Sequence, residues 1–266
     1  MQFIDSHCHL NYPGLSEDTD GVLSRMHQAG ITHALNICTT LEEAEAVIGL
    51  AEQHEFLSAS VGVHPDNLNV REPTEADLIG LGRRHKVIAI GETGLDYYRR
   101  EGDGKTDDFA WQRARFRTHI RAAKQVKKPL IIHTREAADD TLAILREEGA
   151  EEVGGVMHCF TESVGVARAA IDLGFLISLS GIVTFKNAHQ VQQVAREIPL
   201  EHLMIETDAP FLAPVPYRGK VNEPSYVVYV AHKIAELKQI PVEEVARVTS
   251  ENFGRFSRAA LGRPSQ

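Results

Sequence analysis

Short runs of apolar, β-branched residues alternate with stretches of helical periodicity along this chain, one pair about every thirty residues and eight times over. Few folds accommodate that pattern. The strand-like runs are Ile4 to His9, His33 to Cys38, Leu57 to Val63, Val87 to Glu92, Leu130 to His133, Val153 to His158, Phe175 to Ser180 and Leu203 to Asp208. Helical spacing follows each of them, over Asp20 to Ala29, Leu41 to Ala51, Pro73 to Arg84, Asp107 to Val126, Ala137 to Glu148, Ser163 to Leu173, Asn187 to Ile198 and Ser225 to Lys238, with a last helix from Pro241 onward. Thr40 and Glu43 have the spacing of a capping box, and Gly30 and Gly174 are placed to stop helices. Parallel strands joined by helical crossovers satisfy this order, and eight of them predict an α/β fold, a single-domain (β/α)8 TIM barrel over residues 1–266. An open dinucleotide-binding sheet is the rival. No Gly-x-Gly-x-x-Gly follows an early strand, and no Walker-type loop is present.

Several of these runs end on residues that bind cations. In an extended strand alternate side chains share a face, so His7 and His9 converge, with Asp5 on the same side. Glu92, His133, His158 and Asp208 end four later runs. A closed barrel gathers such strand ends around one mouth, where residues two hundred positions apart become neighbours. Four imidazoles and two carboxylates exceed the needs of one tetrahedral ion, so two divalent ions are expected: His7, His9 and Asp208 on one, His133 and His158 on the other, Glu92 bridging. Nitrogen and oxygen ligands without thiolate suit Mg, Mn or Zn alike. Glu206, two residues before Asp208, is placed to hold the attacking water or to orient a ligand, and equally to serve as a buried ion-pair partner. His64 is a candidate for contact with substrate phosphate, for support behind the ligands, or for plain loop capping. The catalytic candidates are therefore Glu92, Asp208, Glu206 and His64.

The loops beyond these runs carry Asp96-Tyr97-Tyr98-Arg99-Arg100, Thr134-Arg135, Phe185-Lys186-Asn187 and Tyr217-Arg218-Gly219-Lys220. Aromatic and cationic side chains around one mouth suit bases and phosphates, which makes Tyr97, Arg135, Lys186 and Arg218 candidate substrate contacts. The net charge of −9 excludes a broad basic surface for duplex binding, so anionic substrate must be met locally. Cys8, Cys38 and Cys159 show no Cys-x-x-Cys spacing and are expected to be buried and reduced. The early Asp5 and His7 interrupt any leader-like apolar run, no stretch reaches membrane-spanning length, and no obligate protein partner is evident. A cytoplasmic location is expected.

At Asp5-Ser6-His7-Cys8-His9-Leu10, Gly62-Val63-His64-Pro65, Gly91-Glu92-Thr93-Gly94-Leu95-Asp96-Tyr97-Tyr98, His133-Thr134-Arg135, His158-Cys159-Phe160, Ser180-Gly181-Ile182-Val183-Thr184-Phe185 and Glu206-Thr207-Asp208-Ala209-Pro210 the chain resembles the TatD family of metal-dependent deoxyribonucleases, in its YcfH-like branch. The resemblance implies a barrel hydrolase of the amidohydrolase superfamily with metal on His7, His9, Glu92, His133, His158 and Asp208, Glu92 standing where many relatives carry a modified lysine. It also implies a DNA phosphodiesterase of the 3′–5′ exodeoxyribonuclease type, acting on single-stranded DNA. The same residues leave open a metal-dependent ester or amide hydrolase, such as an aminoacyl-tRNA deacylase or lactonase, since the site can also activate water against a carbonyl. A non-catalytic role would leave a full ligand set unused in a buried mouth.

Overall fold

Eight strands in chain order form one sheet, and every pairing from the first with the second to the seventh with the eighth is parallel. The structure is a computed structural model that describes residues 1–98 and 109–261; Arg99, Arg100 and the expected helix start at Asp107 lie outside them. The strands are β1 (Phe3–Cys8), β2 (Ile31–Asn36), β3 (Leu57–Val61), β4 (Val87–Asp96), β5 (Leu130–Arg135), β6 (Gly155–Met157), β7 (Phe175–Leu179) and β8 (Leu203–Ile205). The helices are α1 (Thr19–Gln28), α2 (Ala44–Gln53), α3 (Glu75–Gly82), α4 (Ala110–Val126), α5 (Ala138–Glu147), α6 (Val164–Ile171), α7 (His189–Glu197), α8 (Val227–Lys238) and α9 (Val242–Leu261). The barrel closes just past β8, where Asp208 N donates to His7 O (2.9 Å) and His9 N to Ala209 O (2.8 Å). This is the expected TIM barrel.

Period-two alternation divides most strand residues between two cores. Leu130, Ile132 and Ile177 pack outward against the helices, whereas Ile131, Val156 and Met204 fill the interior with Leu35 and Ile37; β4 departs from the alternation, Val87 and Ile90 joining the outer core and Ile88 and Ala89 the inner one. Burying each such side chain stabilises the fold by roughly 1.5–3 kcal/mol. Phe253 and Phe256 of α9 join the interior set, so the last helix seals the end opposite the mouth. Thr40 and Glu43 form the expected reciprocal cap, Glu43 N donating to Thr40 Oγ1 and Thr40 N to Glu43 Oε1. Gly30 and Gly174 both adopt φ +81°, the left-handed conformation that ends a helix at little cost for glycine.

Strand bounds differ from the sequence reading where geometry, not composition, ends them. β4 runs on to Asp96 because its ladder with β5 continues from Thr93 to Asp96, while β6 and β8 shrink to three residues each. Among the described residues no helix is long and apolar enough to cross a membrane. Cys8 and Cys38 are buried, Cys159 is partly so, and all are free thiols.

Candidate metal centre and substrate cavity

The parity expected for β1 fails between Asp5 and Cys8, where its register with β2 slips. Below the slip, Ser6 Oγ faces inward, reaching Ser178 Oγ on β7 (3.2 Å) and donating to Ile205 O (3.0 Å). Above it, His7 and His9 bring their Nε2 atoms to 3.3 Å of each other. Asp5 is thereby removed from the histidines' side: its carboxylate accepts from Thr207 N (2.9 Å) and Oγ1 (2.5 Å) and from His7 N (3.3 Å). It staples β1 to the segment after β8. Asp208, itself at φ +58°, places Oδ1 3.3 Å from His9 Nε2 and 3.6 Å from His7 Nε2.

Glu92 is the hub. Oε1 lies 2.9 Å from His158 Nε2, 3.3 Å from His64 Nε2 and 3.3 Å from His133 Nδ1, and Oε2 lies 3.4 Å from His7 Nε2. Among the described residues three donor groups result: His7, His9 and Asp208; His7, Glu92 and His158; His64, Glu92 and His133. His158 stacks on His7 with centroids 3.7 Å apart and His133 faces His64, while His158 and His133 both reach the same oxygen of Glu92. His64 Nδ1 accepts from Asp66 N (3.1 Å), which leaves the proton of a neutral ring on Nε2, pointing at Glu92. Glu206 stands behind the ligands: its Oε1 pairs with His158 Nδ1 (3.0 Å) and accepts from Cys159 N (2.7 Å), fixing that ring from the rear.

Burial alone would raise the pKa of Glu92, but the charges of His158 and His64 and bonds from His133 and His158 outweigh it and hold it well below the carboxylate range. Asp208 is lowered too, burial being overcome by His9 and the neighbouring imidazoles. Burial lowers His7, with His158 adding to the effect. The donors fit divalent cations. His7 and His9 turn Nε2 toward each other and toward the carboxylates of Glu92 and Asp208, so that in each donor group one ligand atom per residue lies within 4.8 Å of the others, nitrogen and oxygen donors of the kind that Mg, Mn or Zn accepts.

His9, His64, Glu92, His133, His158 and Asp208 line a cavity of about 600 Å³ whose lining also includes Tyr12, Thr39, Asp66, Asn67, Asp96, Arg135, Ile182, Phe211 and Leu212. Of the candidate substrate contacts, Arg135 lines it, its guanidinium 3.6 Å from the Tyr98 ring centroid. The others lie outside that lining. Tyr97 donates its hydroxyl to Asp140 (2.7 Å), Lys186 is exposed, and Arg218 lies over Phe185 (4.4 Å).

Two features escaped the sequence reading. Asp96 Oδ2 lies 3.0 Å from His133 Nε2; counting by twos from Glu92 along β4 would have found it. Arg115 and His119, one turn apart on α4, grip the backbone that carries His64: Arg115 donates to His64 O (2.8 Å) and Asn67 O (2.9 Å), and His119 Nε2 accepts from Val63 N (2.9 Å). No local pattern marks such a helix-to-loop clamp.

The family model described as TatD related DNase matches residues 4–258. An uncharacterized metal-dependent hydrolase of Escherichia coli strain K12, YcfH, is 45% identical over 260 residues, covering 96% of each chain. YabD, an uncharacterized metal-dependent hydrolase of Bacillus subtilis strain 168, is 44% identical over 255 residues, 96% of this chain and 98% of its own. The crystal structure of YjjV, a TatD homologue from E. coli K12, superposes with a TM-score of 0.87 at 29% identity, covering 96% of this chain and 98% of that one.

Proposed function

Since the chain belongs to the TatD-related DNase family and is a metal-dependent hydrolase of that family, we propose that it is a DNA phosphodiesterase, of the 3′–5′ exodeoxyribonuclease type on single strands. The proposal includes two divalent ions, Mg, Mn or Zn, one hydrolase domain over residues 1–266, and a cytoplasmic enzyme with no obligate protein partner. What supports it is the position of Glu92, a carboxylate 3% exposed and shared among donor groups at the floor of the cavity. His7, His9 and Asp208 would hold one ion, Glu92 with His133 and His158 the other. Divalent metal there supplies Lewis acidity and acidifies water. With two dications against Glu92 and Asp208 the centre carries about +2, which draws a phosphate into a chain whose net charge is −9.

The chain's own groups do the rest. Ionised Glu92 and Asp208 would supply the negative charge that holds the metals, Glu206 fixes the His158 ring, and His64 directs its Nε2 proton at Glu92 Oε1 and so orients that carboxylate. Arg135 is the cation in the lining placed to meet a second phosphate. A cavity of about 600 Å³ has room for the end of one strand.

The test is a panel of 3′- and 5′-labelled single-stranded DNA, RNA and aminoacylated tRNA, with the metal-loaded enzyme. Release of nucleotides from the 3′ end of DNA is expected. Deacylation of the tRNA with both polynucleotides left intact would replace this reading with ester hydrolysis.

A further inference from the structure

The cavity is lined unequally. Its apolar members, Tyr12, Ile182, Phe211 and Leu212, all come from the segments after β1, β7 and β8, which are neighbours around the barrel. Its polar members away from the metal ligands, among them Thr39, Asn67, Asp96, Arg135 and Thr161, come from the ends of β4 and β5 and the segments after β2, β3 and β6. The donor groups lie on the floor between the two walls.

Phe211 is the exposed part of the apolar wall, with half of its surface open to solvent. An exposed phenylalanine on an ordinary loop is unremarkable, but this one is held in place. Phe211 N donates to Asp208 O (2.9 Å), and Phe211 O accepts from Asn222 Nδ2 (2.6 Å), the same amide that donates to Thr207 O (2.8 Å). Asn222 is fully buried. The backbone that carries the ring is thus tied to the metal-binding segment on both sides. Edge contact with Tyr12, centroids 6.0 Å apart and planes at 87°, sets the ring angle, and Tyr12 is fixed by its hydroxyl on Thr39 (2.7 Å) and its stack on His9 (4.7 Å). The Phe211 centroid lies 6.2 Å from that of His9, which sets the ring beside the metal-binding cluster.

We infer that Phe211, braced by Tyr12, is a stacking platform for one unpaired nucleobase, so that the strand lies with a base on the β7–β8–β1 wall and its sugar and phosphates toward Arg135. The inference rests on the nuclease reading and adds how the substrate is oriented. A preorganised ring loses little entropy on binding, and stacking of this kind recognises any base by its face.

The experiment measures KM of the metal-loaded enzyme for a short single-stranded DNA and for the same strand with the terminal base removed, in wild type, Phe211→Ala and Phe211→Trp. Wild type should prefer the intact strand about tenfold or more, Phe211→Ala should lose that preference with an unchanged melting temperature, and Phe211→Trp should keep it. Equal KM for both strands in wild type, or a Phe211→Ala defect of the same size on both, overturns the inference and leaves the nuclease reading standing. A wild-type enzyme that turns over neither strand overturns both.

Discussion

Replacing Gly62 by alanine tests how Glu92 is held. Gly62 follows β3 and lies against β4, and a Cβ built on it meets Gly91 C at 2.5 Å, Gly91 Cα at 2.7 Å and Glu92 O at 2.8 Å. All three are backbone atoms, so no flexible side chain can swing aside. Ordinary contact begins near 3.4 Å, and the Gly91–Glu92 peptide must therefore retreat by about 1 Å. Glu92 Oε1 holds its imidazole neighbours at 2.9–3.3 Å, so a shift of that size detaches it from some of them. Overpacking costs about 1–3 kcal/mol, several degrees of melting temperature in a chain of this length. Misplacing a metal-binding carboxylate by about 1 Å weakens metal binding roughly 10- to 100-fold and slows turnover by about 100-fold. The control is Gly80→Ala, on the exposed side of α3 with nothing within 4 Å, which should stabilise by about 0.5–1 kcal/mol and leave the metals alone. Calorimetric metal titration and thermal melting of both variants decide the matter. If Gly62→Ala binds metal as tightly and melts as high as Gly80→Ala, the close approach does not position Glu92.

Glu92→Gln keeps the side chain's shape and removes its charge; metal content measured by elemental analysis should fall and hydrolysis drop more than about 100-fold, with the circular dichroism spectrum unchanged, and wild-type metal content would remove Glu92 from the ligand set. Arg218→Ala should weaken polynucleotide binding and reduce the slope of log affinity against log salt by about 0.7, while a minimal chromogenic phosphodiester is cleaved at the wild-type rate; an unchanged slope would place Arg218 outside the substrate path. Burial lowers both His33 and His119 from 6.5 to about 4, with Lys86 adding to it at His33. Their contribution is full above pH 6.5 and is lost as pH falls from there toward 4, by up to about 3 kcal/mol each, because the unfolded chain takes up the protons first. Denaturant melts at pH 7.5 and 4.5 should show that decline, and a decline of the same size in the His33→Asn, His119→Gln double variant would assign it elsewhere.

The barrel was legible because its signal is repeated: each strand-like run is weak alone, but eight in register with helices leave one architecture. The ligand set was legible for a related reason, since a barrel converts position along a run into position around a mouth. What the sequence hid were departures from regular geometry. The register slip in β1 moves Asp5 from the ligands' side to Thr207, and no residue in Ile4-Asp5-Ser6-His7 announces a bulge. Contacts between distant elements were equally hidden. Arg115 reads as one charge among several on an amphipathic helix, yet only 4% of it is exposed, because two carbonyls of the β3–α3 loop and the Glu72 carboxylate receive its guanidinium. The loop residues Tyr97 and Lys186 show the reverse limit, Tyr97 turning its hydroxyl to Asp140 and Lys186 standing exposed outside the cavity lining: side-chain chemistry suited to phosphate does not specify which way a loop turns it.

The seam between β1 and the segment after β8, with α9 beneath it, sets a condition on biosynthesis. A ribosome releases His7 and His9 long before Asp208, and Phe253 and Phe256 later still. Until the last helix emerges, the nascent chain is a growing open sheet with an unpaired β1 edge and an uncovered apolar interior, the kind of surface that chaperones bind and that aggregates when they do not. Closure joins the first strand to the last, so the centre is assembled in one late event. A truncated message would yield no partially active enzyme.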